Sequence, residues 1–151
     1  MDLHILSLSE AIEFDPDKKT YVIRIFSSWD RESDKPRLKP RIKYKHICEY
    51  TFDDVSPWMA PGYLKKYILF NSELAEKIIR EFDQHQKGCE ALVVHCSRGI
   101  NRSPAVGIAL NELFEFGHPT QNLKERYYES NWHVYDTLIE AGARITPKTL
   151  C

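Results

Sequence analysis

One short segment of this 151-residue chain constrains its fold more than any other: an apolar run, a polar loop and a second apolar run in direct succession. The first run, Ala91 to Val94, is typical of a central strand covered on both faces. The second begins at Ser103 and repeats apolar residues at helical spacing to about Phe116. The loop between them places Cys96 and Arg102 at its two ends. The order predicts a strand, a tight loop and a helix.

The predicted loop has the chemistry of an anion-binding site. A loop that enters a helix N-terminus directs backbone N–H groups and the positive end of the helix dipole at one point, which holds a phosphate dianion. The same field stabilises the thiolate form of Cys96. Arg102 adds a planar, permanently charged guanidinium that pairs with two phosphate oxygens at once. In a parallel sheet such a loop lies at the carboxyl ends of the strands, where ligands bind.

The segment has the form His-Cys-x5-Arg-Ser, from His95 to Ser103, with Gly99 in the interval. It resembles the signature of the cysteine-dependent protein tyrosine phosphatase superfamily, and residues 45 to 142 are similar in element order to its small, bacterial-type, dual-specificity-like members. The resemblance implies that Cys96 is the nucleophile, that Arg102 clamps the oxyanion and that Ser103 helps the thiolate to leave. His95 is expected to orient the loop from behind. A buried structural cysteine beside a solvated arginine is the alternative, since short motifs also occur by chance.

The resemblance also implies the ligand and its cradle. The expected substrate is a phosphorylated protein or peptide, phosphotyrosine first, with dual specificity that includes phosphoserine or phosphothreonine left open. No cofactor and no metal are expected. Phosphoinositide phosphatases, which tend to have lysines in this loop, are less favoured because the loop has none. Two other functions stay open at this point. One is a catalytically weak module that binds a phosphorylated partner, and the other is sulfur or arsenate chemistry that uses a second thiol. The residues expected to contact the phosphate are Ser97, Arg98, Gly99, Ile100, Asn101 and Arg102.

Hydrolysis of a phosphomonoester also needs a proton donor for the leaving oxygen, worth about 10²- to 10⁴-fold in rate. In the family implied by the resemblance, an Asp on the loop after an earlier strand supplies it. Here Asp53 and Asp54 follow a strand pattern, and the next carboxylate, Glu73, belongs to a later helix. Strand parity places Asp54 on the face of two aromatic residues and favours it over Asp53. A solvated turn pair is the alternative. Residues 55 to 62 are then expected to form a flap, on which Trp58 either covers the substrate ring or packs into the core.

The remaining patterns predict one α/β domain over residues 1–151, a sandwich with a mainly parallel central sheet flanked by helices. Strands are predicted over Leu3 to Leu8, Tyr21 to Phe26, Lys43 to Phe52 and Ala91 to Val94. Helices are predicted over Ser9 to Phe14, from Asn71 or Ser72 to near Gly88, and over Ser103 to about Phe116, Thr120 to Ser130 and Trp132 to Ala141.

Charge and hydropathy indicate which classes of binding partner to expect. Lys plus Arg number 21 against 22 for Asp plus Glu, so net charge indicates neither a nucleic-acid nor a membrane partner. No apolar run approaches the ~20 residues of a membrane span, and the N-terminus lacks the pattern of a secretion signal. We therefore expect a cytoplasmic protein, and a monomer.

Cysteines and histidines give no metal-ligand spacing. The five histidines outside the motif are scattered, which predicts no metal site. Cys48 and Cys89 adjoin apolar strand patterns and are predicted to be buried thiols. The alternative is that one of them caps Cys96 as a disulfide. The four cysteines contain no Cys-x-x-Cys pair and favour neither a disulfide scaffold nor a zinc site: Cys48, Cys89, Cys96 and Cys151.

Overall fold

Strands and helices alternate along the chain. A computed structural model describes residues 1–149. The strands are β1 (Asp2–Ser7), β2 (Thr20–Phe26), β3 (Tyr44–Thr51) and β4 (Ala91–Cys96). The helices are α1 (Leu8–Glu13), α2 (Pro61–Leu64), α3 (Ser72–His85), α4 (Arg102–Leu113), α5 (Thr120–Arg126) and α6 (Trp132–Thr149), and a 3-10 turn covers Glu32–Asp34.

The four strands form one sheet in the order β1-β4-β2-β3, and every neighbouring pair is parallel. The prediction of an α/β architecture with a parallel sheet flanked by helices is confirmed. The apolar strand β4 lies between β1 and β2, and all of its residues are buried. Since the strands are parallel, the carboxyl ends of β2, β3 and β4 lie at one edge of the sheet, together with the loop that follows Cys96.

Alternation along the strands divides their side chains between two layers. On one face, residues such as Ile23 and Val94 join the main hydrophobic core with α3, α4 and α6. On the other face, α1 packs against β1 and β4. The long connection after β2 also lies on this second face, where the carbonyl of Pro36 accepts a hydrogen bond from Arg24.

The first helix begins earlier than its sequence pattern predicts. Ser7, rather than Ser9, is the N-cap: its hydroxyl accepts the amide of Glu10, and the Glu10 carboxylate accepts the amide of Ser7. This reciprocal capping box satisfies two free N–H groups of the first turn. Strand β1 therefore ends at Ser7, and the predicted ranges Leu3 to Leu8 and Ser9 to Phe14 are each displaced by one residue.

The last helix is longer than predicted. The sequence pattern predicts a helix from Trp132 to Ala141, but α6 continues to Thr149. A Cβ at Gly142 would collide with the Leu113 side chain, so this glycine allows α6 to pack closely on α4. The preceding helix α5 is shorter than predicted and ends at Arg126, where the last turn gives way to the segment that leads into α6.

Three further boundaries differ from the sequence patterns. Helix α4 ends at Leu113, because Glu115 and Gly117 adopt positive φ angles of 53° and 97°. The irregular segment after β3 contains the short helix α2. Strand β3 ends at Thr51, so the alternation on which the choice between Asp53 and Asp54 relied does not extend to them. Within residues 1–149, no helix is long and apolar enough to cross a membrane.

Candidate active site

The loop between β4 and α4 surrounds a buried thiol. Cys96 is the last residue of β4 and is 3% exposed. Its Sγ accepts the backbone N–H of Gly99 at 3.3 Å and lies 3.2 Å from Ser103 Oγ on the first turn of α4. A thiolate at this position therefore has one amide and one hydroxyl within hydrogen-bonding distance, at the N-terminus of a twelve-residue helix.

The curvature of this loop depends on Gly99. Its φ is 72°, in the left-handed region that glycine adopts at little cost. A Cβ at this position would lie 2.8 Å from backbone atoms of Leu6 and Ser7, a distance that real side chains do not tolerate. The loop is also fixed to α1, since the amide of Leu8 donates to the carbonyl of Ser97. The glycine in the signature thus lets the loop pass close to the end of β1.

Arg102 is held by the ends of two neighbouring strands. Its Nη1 donates to the hydroxyl of Ser27, directly after β2, and to the carbonyl of Phe52, directly after β3, both at 2.9 Å. The residue is 6% exposed, yet it lines a cavity of about 300 Å³. The cavity wall contains the predicted residues Cys96, Ser97, Arg98, Asn101, Arg102 and Asp54, together with Ser27 and Trp29.

The two adjacent aspartates occupy different environments. Asp53 is completely buried, and its carboxylate accepts the amides of Ser28 at 2.9 Å and Ile68 at 2.7 Å. It connects the loops that follow β2 and α2. Asp54 is exposed and lines the cavity that contains Cys96. The structure therefore places Asp54 in the wall of the same cavity as the thiol, whereas the contacts of Asp53 are internal.

Asn131 connects Asp54 to the cysteine loop. Its Nδ2 donates to Asp54 Oδ1 at 2.8 Å and to the carbonyl of Val55 at 3.1 Å, and its backbone amide donates to the carbonyl of Asn101. Its own Oδ1 accepts the amide of Val134 in the first turn of α6. One buried asparagine thus fixes the carboxylate, the loop and the start of a helix relative to one another.

His95 lies behind the loop and is fully buried. Its Nε2 accepts a hydrogen bond from Arg24 Nε at 2.9 Å, so the ring proton is on Nδ1, which has no hydrogen-bond partner among the described residues. Burial, and then the positive charge of Arg24, lower the pKa of His95 to about 4. The imidazole is therefore neutral at physiological pH, and its hydrogen bond joins it to Arg24. Its orienting role for the loop stays a prediction.

Trp58 does not line the cavity. It is 75% exposed, and it neither covers the cysteine loop nor packs into the core, the two positions expected for it. Trp29 lines the cavity instead, with its ring edge-to-face against Tyr67 at a centroid distance of 5.6 Å. Ile100 also lies elsewhere, in a separate hollow of about 170 Å³ beside residues 126–129.

Sequence patterns missed four of the residues that build the site: Ser27, Trp29, Asn131 and Arg24. Ser27 and Trp29 carry one usable signal, since they directly follow a buried strand of a parallel sheet, where ligand contacts concentrate. Arg24 carries another, because a charged residue inside an otherwise apolar strand needs a buried partner. Nothing in the sequence places Asn131 beside Asp54.

A disulfide to Cys96 is excluded for the two other cysteines of the described chain. Cys48 lies on β3, two strands away from β4, which separates the Cα atoms by roughly 10 Å or more at the usual strand spacing. Cys89 precedes β4, so the length of that strand separates it from Cys96. A disulfide requires about 4.4–6.8 Å between Cα atoms. Cys151 lies outside the described residues.

Fold and site together define an α/β protein whose strand-to-helix loop lies around a buried cysteine and an arginine, at the carboxyl edge of a parallel sheet. No protein-family model matches the chain, and no curated protein matches it in sequence. Among solved structures, the chain is similar to one described as the crystal structure of Tk-PTP in the active form. The two are 14% identical over 91% of this chain and 90% of the other, with a TM-score of 0.49.

Proposed function

We propose that this chain is a protein-tyrosine-phosphatase-type hydrolase, which cleaves phosphomonoesters through a phosphocysteine intermediate and needs no metal for the reaction. The single observation that carries this proposal is the cavity in which Cys96, Arg102 and Asp54 meet. Nucleophile, cation and carboxylate come from three different elements, and each has a separate role in phosphoryl transfer.

In the first step, the Cys96 thiolate attacks phosphorus in line with the ester oxygen. The S–P bond forms, the P–O bond breaks, and the protonated Asp54 carboxyl gives its proton to the leaving oxygen. The loop amides and the Arg102 guanidinium bind the three equatorial oxygens, where charge accumulates in the transition state. Arg102 reaches this state with little rearrangement, because Ser27 and Phe52 already hold its Nη1.

In the second step, water attacks the phosphocysteine. The Asp54 carboxylate takes a proton from the water, the new P–O bond forms, and the S–P bond breaks to release inorganic phosphate. Ser103 Oγ, 3.2 Å from Cys96 Sγ, donates a hydrogen bond that stabilises the departing thiolate. Asn131 is a positioning residue, because its Nδ2–H holds Asp54 Oδ1 against the cysteine loop in both steps.

Phosphotyrosine is the favoured substrate. The exposed ring of Trp29 stands on the cavity wall and is backed by Tyr67, which offers an edge or face to an aromatic leaving group. An aliphatic phosphoserine side chain gains little from that surface. The polypeptide on either side of the phosphorylated residue would lie across the exposed rim of the cavity.

Hydrolysis of p-nitrophenyl phosphate in the presence of EDTA tests the proposal. The wild-type chain should turn over, vanadate should inhibit it, and Cys96→Ser should abolish turnover while still binding a phosphotyrosine peptide. Because a serine hydroxyl is a far weaker nucleophile than a thiolate, retained binding with lost turnover identifies Cys96 as the nucleophile. Activity that persists in Cys96→Ser, or that EDTA removes, contradicts the mechanism.

A matched pair of peptides tests the substrate class. Phosphotyrosine and phosphoserine peptides of the same flanking sequence should differ at least tenfold in kcat/KM, and Trp29→Ala should reduce that difference. A wild-type chain that binds phosphotyrosine peptide but hydrolyses neither peptide nor p-nitrophenyl phosphate would instead be a phospho-ligand-binding module.

A further inference from the structure

A second cluster of reactive side chains lies between β3 and α3, away from the cavity that contains Cys96. His46, Cys48 and Tyr50 alternate along β3, so their side chains lie on the same face of the sheet. Glu81 of α3 faces them, since it contacts both His46 and Tyr50. No sequence pattern indicates this cluster, because 35 residues separate His46 from Glu81.

The geometry of the cluster matches a tetrahedral metal site. His46 Nε2 and Glu81 Oε1 are 3.3 Å apart, and one ligand atom from each of His46, Cys48 and Glu81 lies within 4.8 Å of the others. In tetrahedral zinc sites with Zn–N and Zn–O bonds of about 2.0–2.2 Å, neighbouring nitrogen and oxygen ligands are about 3.3–3.5 Å apart. The imidazole and the carboxylate therefore already have the spacing that zinc requires.

Neighbouring side chains hold these ligands in place. The Tyr50 hydroxyl donates to Glu81 Oε2 at 2.7 Å, which leaves Oε1 directed at His46. The His85 ring stacks on the His46 ring at a centroid distance of 4.2 Å and an angle of 9°. A hydrogen bond such as the one from Tyr50 fixes the orientation of a ligating carboxylate at metal sites. Cys48 is buried and forms no disulfide with the other cysteines that the structure describes, so its sulfur is free to bind a metal.

We propose that His46, Cys48 and Glu81 bind a zinc ion, with three protein ligands and one position open to solvent. A thiolate, an imidazole and a carboxylate suit zinc, whereas magnesium and calcium prefer oxygen ligands alone. On binding, the Cys48 thiol gives its proton to solvent, and its Sγ exchanges the hydrogen bond to the Val22 carbonyl for a bond to the metal. The metal also replaces the proton between His46 Nε2 and Glu81 Oε1, so the neutral His46 ring then carries its proton on Nδ1. The ion would link the edge strand β3 to α3.

This proposal does not depend on the phosphatase reaction. The cluster shares no residue with the catalytic cavity, whose chemistry needs no metal. His46 and Glu81 are each about one quarter exposed, so an ion has a route from solvent to the ligands.

Cobalt binding to a single-cysteine protein provides the test. In the full chain carrying Cys89→Ser, Cys96→Ser and Cys151→Ser, Cys48 is the only thiol left. Added Co²⁺ should give a thiolate-to-cobalt charge-transfer band in the near ultraviolet and visible bands of four-coordinate cobalt, and Zn²⁺ should displace it.

Variants in the same background assign the ligands. His46→Gln and Glu81→Gln should each weaken Co²⁺ binding at least tenfold, and Cys48→Ser should remove the charge-transfer band. His85→Gln should leave the band in place, since His85 only packs against the His46 ring. Circular dichroism should show that every variant is folded.

Three results would overturn the proposal. A folded single-cysteine protein without a charge-transfer band at millimolar Co²⁺ has no metal site at Cys48. A band that His46→Gln and Glu81→Gln leave unchanged assigns the metal to other ligands. Loss of the band in folded His85→Gln refutes the set of three ligands proposed here.

Discussion

Replacing Asp54 by Asn isolates the proton that this residue is proposed to donate. The carboxylate oxygen Oδ1 accepts one described hydrogen bond, from Asn131, and the carbonyl of an Asn side chain can accept the same bond. Asp54 is also exposed, so no buried charge is removed. The substitution should therefore leave the fold and the cavity intact and remove the proton donor of the first step together with the base of the second.

The size of the expected effect depends on the leaving group. Loss of a general acid costs about 10²- to 10⁴-fold in rate, or roughly 2.7–5.4 kcal/mol of transition-state stabilisation. Phenyl phosphate, with a basic leaving oxygen, should lose most of this factor in the Asp54→Asn enzyme. p-Nitrophenyl phosphate, whose leaving group departs without a proton, should lose far less. The kcat/KM values for the two esters measure the difference, since they report the step in which the ester is cleaved, whereas kcat also contains the hydrolysis of the phosphocysteine. The alkaline limb of kcat/KM against pH should flatten.

Asp53→Asn is the matched control. The Asp53 carboxylate accepts two amide N–H groups, and an Asn side chain can accept only one of them, so a buried N–H loses its partner. This variant should lose about 1–3 kcal/mol of stability without any change in leaving-group dependence. If Asp53→Asn shows the dependence and Asp54→Asn does not, the assignment of the acid is wrong. If neither shows it, the proton donor lies outside this pair.

Other contacts of the site lead to three more predictions. Asn131→Asp keeps the cap on α6 but places a second carboxylate beside Asp54, so the alkaline limb of the kcat/KM profile should move to higher pH. Asn131→Ala removes the hydrogen bond to Asp54 and should lower kcat more than KM. Gly99→Ala should abolish phosphatase activity and lower the melting temperature, because its Cβ would meet the backbone of Leu6. The pKa of His95 falls from 6.5 unfolded to about 4 folded, so its neutral form stabilises the protein above pH 6.5. Urea titrations should show up to about 3 kcal/mol of that stability lost between pH 6.5 and 4, and the loss should be absent in His95→Gln.

Local sequence patterns were enough to predict the strand, loop and helix at the centre of this protein. The apolar run of β4, the loop after it and the helix beginning at Arg102 are contiguous, so their order in the sequence is also their order in space. The glycine in the motif has the positive φ expected of a residue in such a loop. Where propensity and burial act over a few neighbouring residues, the sequence predicted the structure closely.

Residues brought together by the tertiary fold were harder to predict. Parity between Asp53 and Asp54 was an unreliable guide, because β3 ends two residues earlier and both Phe52 and Asp53 are buried. The sequence pattern indicated Trp58 as the ring near the substrate, whereas Trp29, which packs edge-to-face against Tyr67, lines the cavity. The tertiary fold, rather than local composition, determines where these aspartates and tryptophans lie relative to the cavity.

The cluster between β3 and α3 could not be predicted for the same reason, because its residues are distant in the sequence. Scattered histidines predicted no metal ligands, yet His46 stacks on His85 and lies beside Cys48 and Glu81. The strand contributes alternate residues and the helix contributes residues one turn apart, so ligands from the two elements never form a recognisable spacing.

The anchoring of Arg102 has a consequence for the end of the proposed catalytic cycle. Both N–H groups of Nη1 are used by Ser27 and Phe52, so Nε and Nη2 form the face that remains for a phosphate. An arginine side chain carries about 2 kcal/mol of rotamer entropy, and this one has lost much of it before any ligand arrives. A guanidinium that is already held in place binds the oxygens of a phosphate ester and those of inorganic phosphate in the same way. Inorganic phosphate released by one turnover should therefore compete with the next substrate, and the rate in a cell would follow the ambient phosphate concentration as well as the supply of substrate.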